Sequence, residues 1–298
     1  MSIGGRYKDF AQKTESLFFL RYTLVMILQQ IDKVIKGKKY QYYDIGRRDS
    51  KKVIVFLHGA TSNKDAINDL LDSVPEDYRF ILLDLPGHGY LPMYGITNVT
   101  GYGQYVKDLV DALGLDNFGF IGFSFGGLIA LEAASLFADS GKIVPTALWS
   151  SPINFCNSVA TETGKIGLRV CDALPADIYK KACASDILKI LSERIGINVS
   201  AGDLEALLQF DNKSALVILK IIEEKTKLDE RYPTLFVFGN SDIYVDYARV
   251  EEFKKDMGDD AVPVIENGGH FGTVAGRTKA LERIEEFMDV SLSVKRFG

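Results

Sequence analysis

Ser124 stands in GFIGFSFGGLIA, residues 119–130, with a phenylalanine on either side and glycines at 122, 126 and 127. A strand ending at Phe123 and a helix starting near Phe125 leave that serine on a reversal only a few residues long. Such a turn forces its central residue into a strained backbone conformation and brings strand and helix so close that side chains two positions away would collide. Gly122 and Gly126 remove those side chains, and Gly127 lets the helix pack tightly. The hydroxyl is therefore expected at the end of a strand, beside the amino-terminal amides of its own helix, which favour negative charge. That is the setting of a nucleophile. A phosphate-binding turn would want G-x-G-x-x-G after the first strand, a spacing that Gly119, Gly122 and Gly126 do not have; a tight turn without chemistry is the other alternative.

A serine hydroxyl needs a base, and the chain has three histidines. His270 lies in ENGGHFG, a glycine-rich loop between the last strand candidate and the last helix. In a parallel sheet that is the carboxyl edge, the same edge as Ser124. His58 also follows a strand-like run and His88 sits in a Pro-Gly turn, so position alone does not exclude them; their neighbourhoods favour His270 as the base. The base needs a carboxylate to orient it and to stabilise its charged form. Asp242 in FGNSDIYV directly follows an apolar run and gives the chain order Ser, Asp, His. Asp246 is the rival, although it reads as already inside the next helix, and a turn or capping role is the structural alternative for Asp242. Backbone amides after the first long apolar strand, in His58-Gly59-Ala60, could serve an oxyanion.

These residues need a scaffold. From about residue 40 the chain alternates strand-like and helix-like segments, the pattern of a mostly parallel sheet with helices on both faces, an α/β class. Strands are predicted at 53–57, 80–84, 118–123, 146–150, 234–239 and 261–266, the last placed at an edge by Pro263. Helices are predicted at 101–115, with Thr100 as its cap, at 126–138, and at 276–288, where Leu281, Ile284, Phe287 and Met288 form an apolar face. Residues 153–232 change character: DILKILSERIGI, DLEALLQF and SALVILKIIEEKTK read as helices without an alternating strand, and the block is far longer than an ordinary connection. It is expected to be a helical cap inserted between two halves of a core, 40–152 and 233–298.

Residues 1–39 are set apart by LFFLRYTLVMILQQIDKVI at 17–35. Arg21, Gln29, Gln30 and Asp32 break it too often for a spanning helix, and no cleavage site follows. Leu17, Leu20, Leu24, Ile27, Leu28, Ile31 and Val34 recur at helical spacing, so an amphipathic helix is expected, packed on the body, on a second subunit in a homodimer, or peripherally on a membrane surface. The net charge of −5 argues against a nucleic-acid partner. Three cysteines without CxxC spacing argue against a disulfide framework and a zinc site. A cytoplasmic protein is expected.

LHGA, DLPGHG, GFSFGG, GNSD and GGH, in this order over residues 40–290 apart from the cap, resemble the α/β-hydrolase fold superfamily, in particular its cap-bearing serine esterases and lipases. That resemblance implies Ser124 as nucleophile, His270 as general base and acid, Asp242 as its orienting partner, and the amides of Ala60 and Phe125 as the oxyanion hole. It implies a small-molecule ester of short to medium acyl chain as substrate, with His58, Gly59 and Phe123 as candidates for the pocket, and neither cofactor nor metal. Lipid glycerides, diketone carbon–carbon bonds, thioesters and amides use the same parts, and a ligand-binding receptor on the same fold is the non-enzyme alternative. Two features depart from the pattern: Tyr90 and Leu91 stand where the DxxGxGxS loop commonly has serine, and residues 1–39 have no counterpart.

Overall fold

A computed structural model describes residues 29–68, 70, 75–151, 206, 208–211, 213–223, 231–265, 268–270 and 274–293, together with scattered positions between 162 and 178. Eight strands form one sheet in the order β1-β2-β4-β3-β5-β6-β7-β8. They are β1 (Ile31–Ile35), β2 (Lys38–Gly46), β3 (Lys52–Leu57), β4 (Tyr78–Leu83), β5 (Phe118–Phe123), β6 (Thr146–Trp149), β7 (Thr234–Gly239) and β8 (Val264–Ile265). β1 and β2, and β2 and β4, pair antiparallel; every later pair is parallel. The chain thus reads as an α/β fold with a parallel centre and an antiparallel edge.

The central strands are continuous apolar runs because both faces are covered. Along β3, Val53, Val55 and Leu57 enter one hydrophobic cluster while Ile54 and Phe56 enter the other. The first cluster lies under α1 (Val99–Leu113), α2 (Phe125–Ala138) and α4 (Tyr247–Met257); α3 (Ser214–Glu223) also contributes to it. The second is closed by α5 (Val274–Ser293), whose Leu281, Ile284 and Met288 are buried as their spacing predicts.

Three expectations are corrected. Residues 31–35 are not helical: they form β1, and Val34, placed on the apolar stripe, is exposed. Lys36 and Gly37 both have positive φ and join Ile35 to its partner Lys38 in a two-residue hairpin, so IDKVI follows the strand period of two. Residues 17–28 lie outside the described residues. The cap of α1 is Asn98, not Thr100: its backbone is extended and its Oδ1 accepts from the Gly101 amide at 2.9 Å. The strand predicted at 261–266 shrinks to two residues at the sheet edge, because Pro263 has no amide to donate and Asp259–Ala261 form a 3-10 turn before it.

β6 and β7 are paired parallel neighbours, so residues 150–233 are inserted between two adjacent strands of the sheet. The helical cap expected at 153–232 falls mostly outside the described residues; within it, α3 is a helix.

Closure of the second cluster by α5 gives a sharp contrast along one helix. Ile284→Ala, at a fully buried site, is expected to cost about 2–5 kcal/mol. Val290→Ala, further along the same helix and exposed, is expected to stay within about 0.5 kcal/mol; urea unfolding of both variants measures the difference.

Candidate active site

β5 ends at Phe123 and α2 begins at Phe125, leaving Ser124 alone on the turn with φ 50° and ψ −119°. A non-glycine residue at positive φ is strained, and this one is held there by its surroundings. The Ser124 amide donates to the Trp149 carbonyl at 2.8 Å, and its carbonyl accepts from the Gly127 amide at 3.0 Å and from Ser151 Oγ at 2.6 Å. The glycines give the room. A Cβ on Gly122 would lie 2.6 Å from the Gly127 nitrogen, and one on Gly126 would lie 2.6 Å from the His58 carbonyl oxygen and closer still to that of Leu57. A Cβ on Gly127 would overlap Ser151, so this glycine clears the path of the Ser151 hydroxyl to the turn.

Asp242 follows β7 and His270 follows β8, so both lie at the carboxyl edge with Ser124. His270 Nε2 is 3.0 Å from Ser124 Oγ. Its Nδ1 is 2.9 Å from Asp242 Oδ2 and 3.1 Å from Oδ1. An ionised carboxylate only accepts, so Nδ1 carries the proton and Nε2 presents its lone pair to the serine hydroxyl. The Asp242 side chain is buried, and its Oδ1 also accepts from the Tyr244 amide at 2.9 Å. Tyr247 braces the same turn: its hydroxyl accepts from the Asp242 amide at 2.7 Å and donates to the Gly239 carbonyl. Burial pushes the Tyr247 phenol up to about 12, which keeps it a donor. The rival Asp246 is the N-cap of α4, with Oδ1 accepting from the Ala248 amide at 3.1 Å.

Phe125 opens α2, so its amide has no carbonyl one turn earlier in the helix to bond. Gly59 lies against the elbow: a Cβ there would stand 3.1 Å from the Phe123 ring and 3.3 Å from Ser124 Cβ. Gly59 and Ala60 therefore follow β3 to the same rim.

Comparison with known proteins adds to this geometry. A family model described as alpha/beta hydrolase fold matches residues 52–152. Monoacylglycerol lipase ABHD6 of Homo sapiens is 20% identical over 259 residues, covering 82% of this chain and 77% of the relative. Among solved structures, N-acyl homoserine lactonase AidH, complexed with N-butanoyl homoserine, superposes with a TM-score of 0.66 at 14% identity, covering 91% of this chain and all of the other. An esterase (EaEST) from Exiguobacterium antarcticum gives a TM-score of 0.61 at 17% identity, with 88% and 100% covered. The chain has the α/β-hydrolase fold.

Within this hydrolase fold, His58 departs from the expected place in the pocket. It is fully buried; Nε2 accepts from the Leu85 amide at 3.0 Å and Nδ1 faces the Gly59 carbonyl at 2.8 Å. Both ring nitrogens are committed to backbone, so His58 is an internal tie between the segment after β3 and the segment after β4, not a pocket wall. His88 is equally buried, with its ring 4.8 Å from that of His58 and Nδ1 3.1 Å from the Pro86 carbonyl. Neither approaches the serine as His270 does. Phe123 is partly buried, with its ring 5.5 Å from the His270 imidazole and 5.7 Å from Trp149.

The sequence reading passed over several groups that shape the site. Asp84 is completely buried and takes both the Lys64 ammonium at 2.8 Å and the Lys64 amide at 2.7 Å. Burial pushes the Asp84 carboxyl up in spite of that ammonium. This pair fastens the loop after β3, which carries Gly59 and Ala60, to the loop after β4. In that second loop Tyr90 is exposed with φ 65°, while Leu91 is buried and its carbonyl accepts from the Gly87 amide at 3.1 Å. Only the aspartate at the head of DLPGHG hinted at this role; nothing in the spacing of Lys64 did. Ser151 and Tyr247 likewise carry no motif.

Burial holds His88 down to about 4, well below its ordinary 6.5, so the folded protein keeps it neutral where the unfolded chain protonates it. Stability from this group is fully present above pH 6.5 and is lost as pH falls toward 4, by about 3 kcal/mol over the whole window. Urea unfolding of wild type and His88→Leu at pH 7 and pH 4.5 measures it. The variant is expected to lose about 2–3 kcal/mol less than wild type between the two pH values.

Proposed function

We propose that the protein is a serine hydrolase that cleaves a carboxylic ester of short to medium acyl chain through an acyl-enzyme. The observation that carries this reading is the continuous hydrogen-bonded line from buried Asp242 through His270 to Ser124. In the proposed reaction Ser124 Oγ attacks the acyl carbon while its proton passes to His270 Nε2. The carbonyl electrons move onto oxygen, and the resulting oxyanion faces the amides of Phe125 and Ala60, each worth about 2.7–4 kcal/mol by analogy with a deleted side-chain donor. When the tetrahedral intermediate collapses, the alkoxide leaves and takes the proton back from Nε2, leaving the acyl group on Ser124. A water molecule then gives its proton to Nε2 and attacks the acyl carbon; collapse releases the acid and returns the proton to Oγ. Throughout, Asp242 holds the Nδ1–H tautomer and balances the imidazolium.

Every step uses side chains and backbone of this chain. A serine nucleophile also argues against the alkyl-enzyme route of epoxide or haloalkane hydrolysis, which uses a carboxylate. The partly buried Phe123 beside the nucleophile fits an apolar acyl group. A cap over the site formed within 153–232 and a cytoplasmic location belong to the same reading. The second reading, hydrolysis of a monoacylglycerol, is favoured by the likeness to monoacylglycerol lipase ABHD6 over most of both chains. Among the described residues no helix is long and apolar enough to cross a membrane; contact of the N-terminal segment with a membrane surface or with a second copy of the chain is proposed with this second reading.

A fluorophosphonate probe should label the wild-type protein at one site per chain and leave Ser124→Ala unlabelled. Hydrolysis of p-nitrophenyl esters by Ser124→Ala or His270→Ala should fall by at least about 10³-fold. A chain-length series run beside a monoacylglycerol, a thioester and a diketone separates the substrate classes. Absence of labelling in wild type would instead identify a ligand-binding receptor on this fold.

A further inference from the structure

The turn that delivers Asp242 also delivers an aromatic ring to the base. Tyr244 is partly buried, and its ring lies 4.7 Å from the His270 imidazole at an interplanar angle of 60°. Phe123 approaches the same imidazole at 5.5 Å and 43°. Among the described residues the rings against His270 thus include one from the elbow strand and one from the acid turn. Tyr244 is distinguished from Phe123 by its backbone, since its amide donates to Asp242 Oδ1 at 2.9 Å. One residue thus touches both partners of the Asp242–His270 hydrogen bond.

We propose that Tyr244 is a positioning residue for the proton relay: its amide orients the Asp242 carboxylate while its ring holds the His270 imidazole against that carboxylate and shields their hydrogen bond from water. The inference rests on the serine-hydrolase reading for its kinetic consequence, but the contact itself can be tested without turnover. The titratable groups that face His270 include Asp242 and Tyr244 from the turn after β7 and Ser124 from the elbow. Burial raises the Tyr244 phenol above its ordinary range, so this residue stays neutral through a neutral assay.

A ring that positions a base affects the chemical step, whereas a ring that lines a pocket affects binding. Tyr244→Ala keeps the amide to Asp242 and removes the ring; kcat for a p-nitrophenyl ester is expected to fall about tenfold with KM unchanged. Tyr244→Leu keeps apolar bulk without the planar ring and is expected to lose about threefold. Tyr244→Phe keeps the ring and should restore wild-type kcat. The independent readout is the downfield proton resonance of the Nδ1–H between His270 and Asp242. It is expected to be sharp in wild type and Tyr244→Phe and broadened by exchange with water in Tyr244→Ala. A rise in KM at unchanged kcat, loss of activity in Tyr244→Phe equal to that in Tyr244→Ala, or an unchanged downfield proton in Tyr244→Ala and Tyr244→Leu would each overturn the proposal. If wild type neither hydrolyses esters nor takes the fluorophosphonate, the reaction reading fails; the downfield proton then still decides whether Tyr244 clamps the pair.

Discussion

At the junction of β5 and α2 the backbone passes from strand to helix through a single residue. Close approach there is possible only because three positions lack side chains: Gly122 meets Gly127, Gly126 meets the carbonyls at the end of β3, and Gly127 meets Ser151. The strain of Ser124 at φ 50° is balanced by hydrogen bonds that fix its amide to the end of β6 and its carbonyl to Gly127 and Ser151. Since both backbone groups are held, the side chain has one way out, toward the rim where β7 and β8 also end. The parallel order β5-β6-β7-β8 then sets which loops can reach it. A serine on an ordinary loop would have to lose conformational freedom in each encounter with a substrate; here that loss is already made in folding.

The same logic explains the buried polar groups beneath the rim. Asp84, Lys64, His58 and His88 are all withdrawn from water, which is costly; each finds a hydrogen-bond partner, although His88 does so through Nδ1 alone, its Nε2 having none among the described residues. Their contacts connect the loop after β3 to the loop after β4: Lys64 to Asp84, and His58 to the Leu85 amide. An apolar filling could support these loops, but it would not fix the direction of backbone amides. Directional bonds do, and the amides of Gly59 and Ala60 lie on the loop so fixed. The cost appears in the lowered proton affinity of His58 and His88, both depressed chiefly by burial.

Much of the architecture was legible in the sequence because it depends on periodicity. The apolar face of α5 was readable from the spacing of Leu281, Ile284 and Met288, while continuous apolar runs such as KVIVFL and TLFVFG read as strands covered on both faces through their shortness and their β-branched and aromatic content rather than a period. The elbow was legible from glycine positions, and the residues expected to converge on it, Asp242 and His270, are found together at hydrogen-bond distance. What escaped was set by contacts between distant segments. IDKVI carries both a helical and a strand pattern, and pairing with β2 decides between them. The Lys64–Asp84 pair spans 20 residues and has no periodic signature. His58 was a pocket candidate through the family resemblance; the direction of its side chain, inward onto Leu85, is a matter of packing that spacing does not encode.

The three groups of the proposed relay are not held in the same way, and this has a consequence for where the site can yield. Asp242 and His270 come from turns that are stitched together: Gly239 and Gly268 cross so closely that neither could carry a Cβ, the Ser241 amide donates to the Gly268 carbonyl at 2.7 Å, and the Asn240 amide donates to the Ile265 carbonyl at 2.9 Å. Tyr247 fixes the turn from beneath. The carboxylate and imidazole are therefore mounted on one backbone unit, while Ser124 is mounted on another, the elbow. Among the described residues the two units meet where Ser124 Oγ lies 3.0 Å from His270 Nε2, with the Phe123 ring against the imidazole. A disturbance at the sheet edge carrying β8 is therefore expected to move acid and base together and to change the distance to the serine before it breaks the Asp242–His270 bond. In the proposed reaction, proton transfer from Ser124, rather than orientation of the imidazole, is accordingly the step most exposed to distant changes in packing.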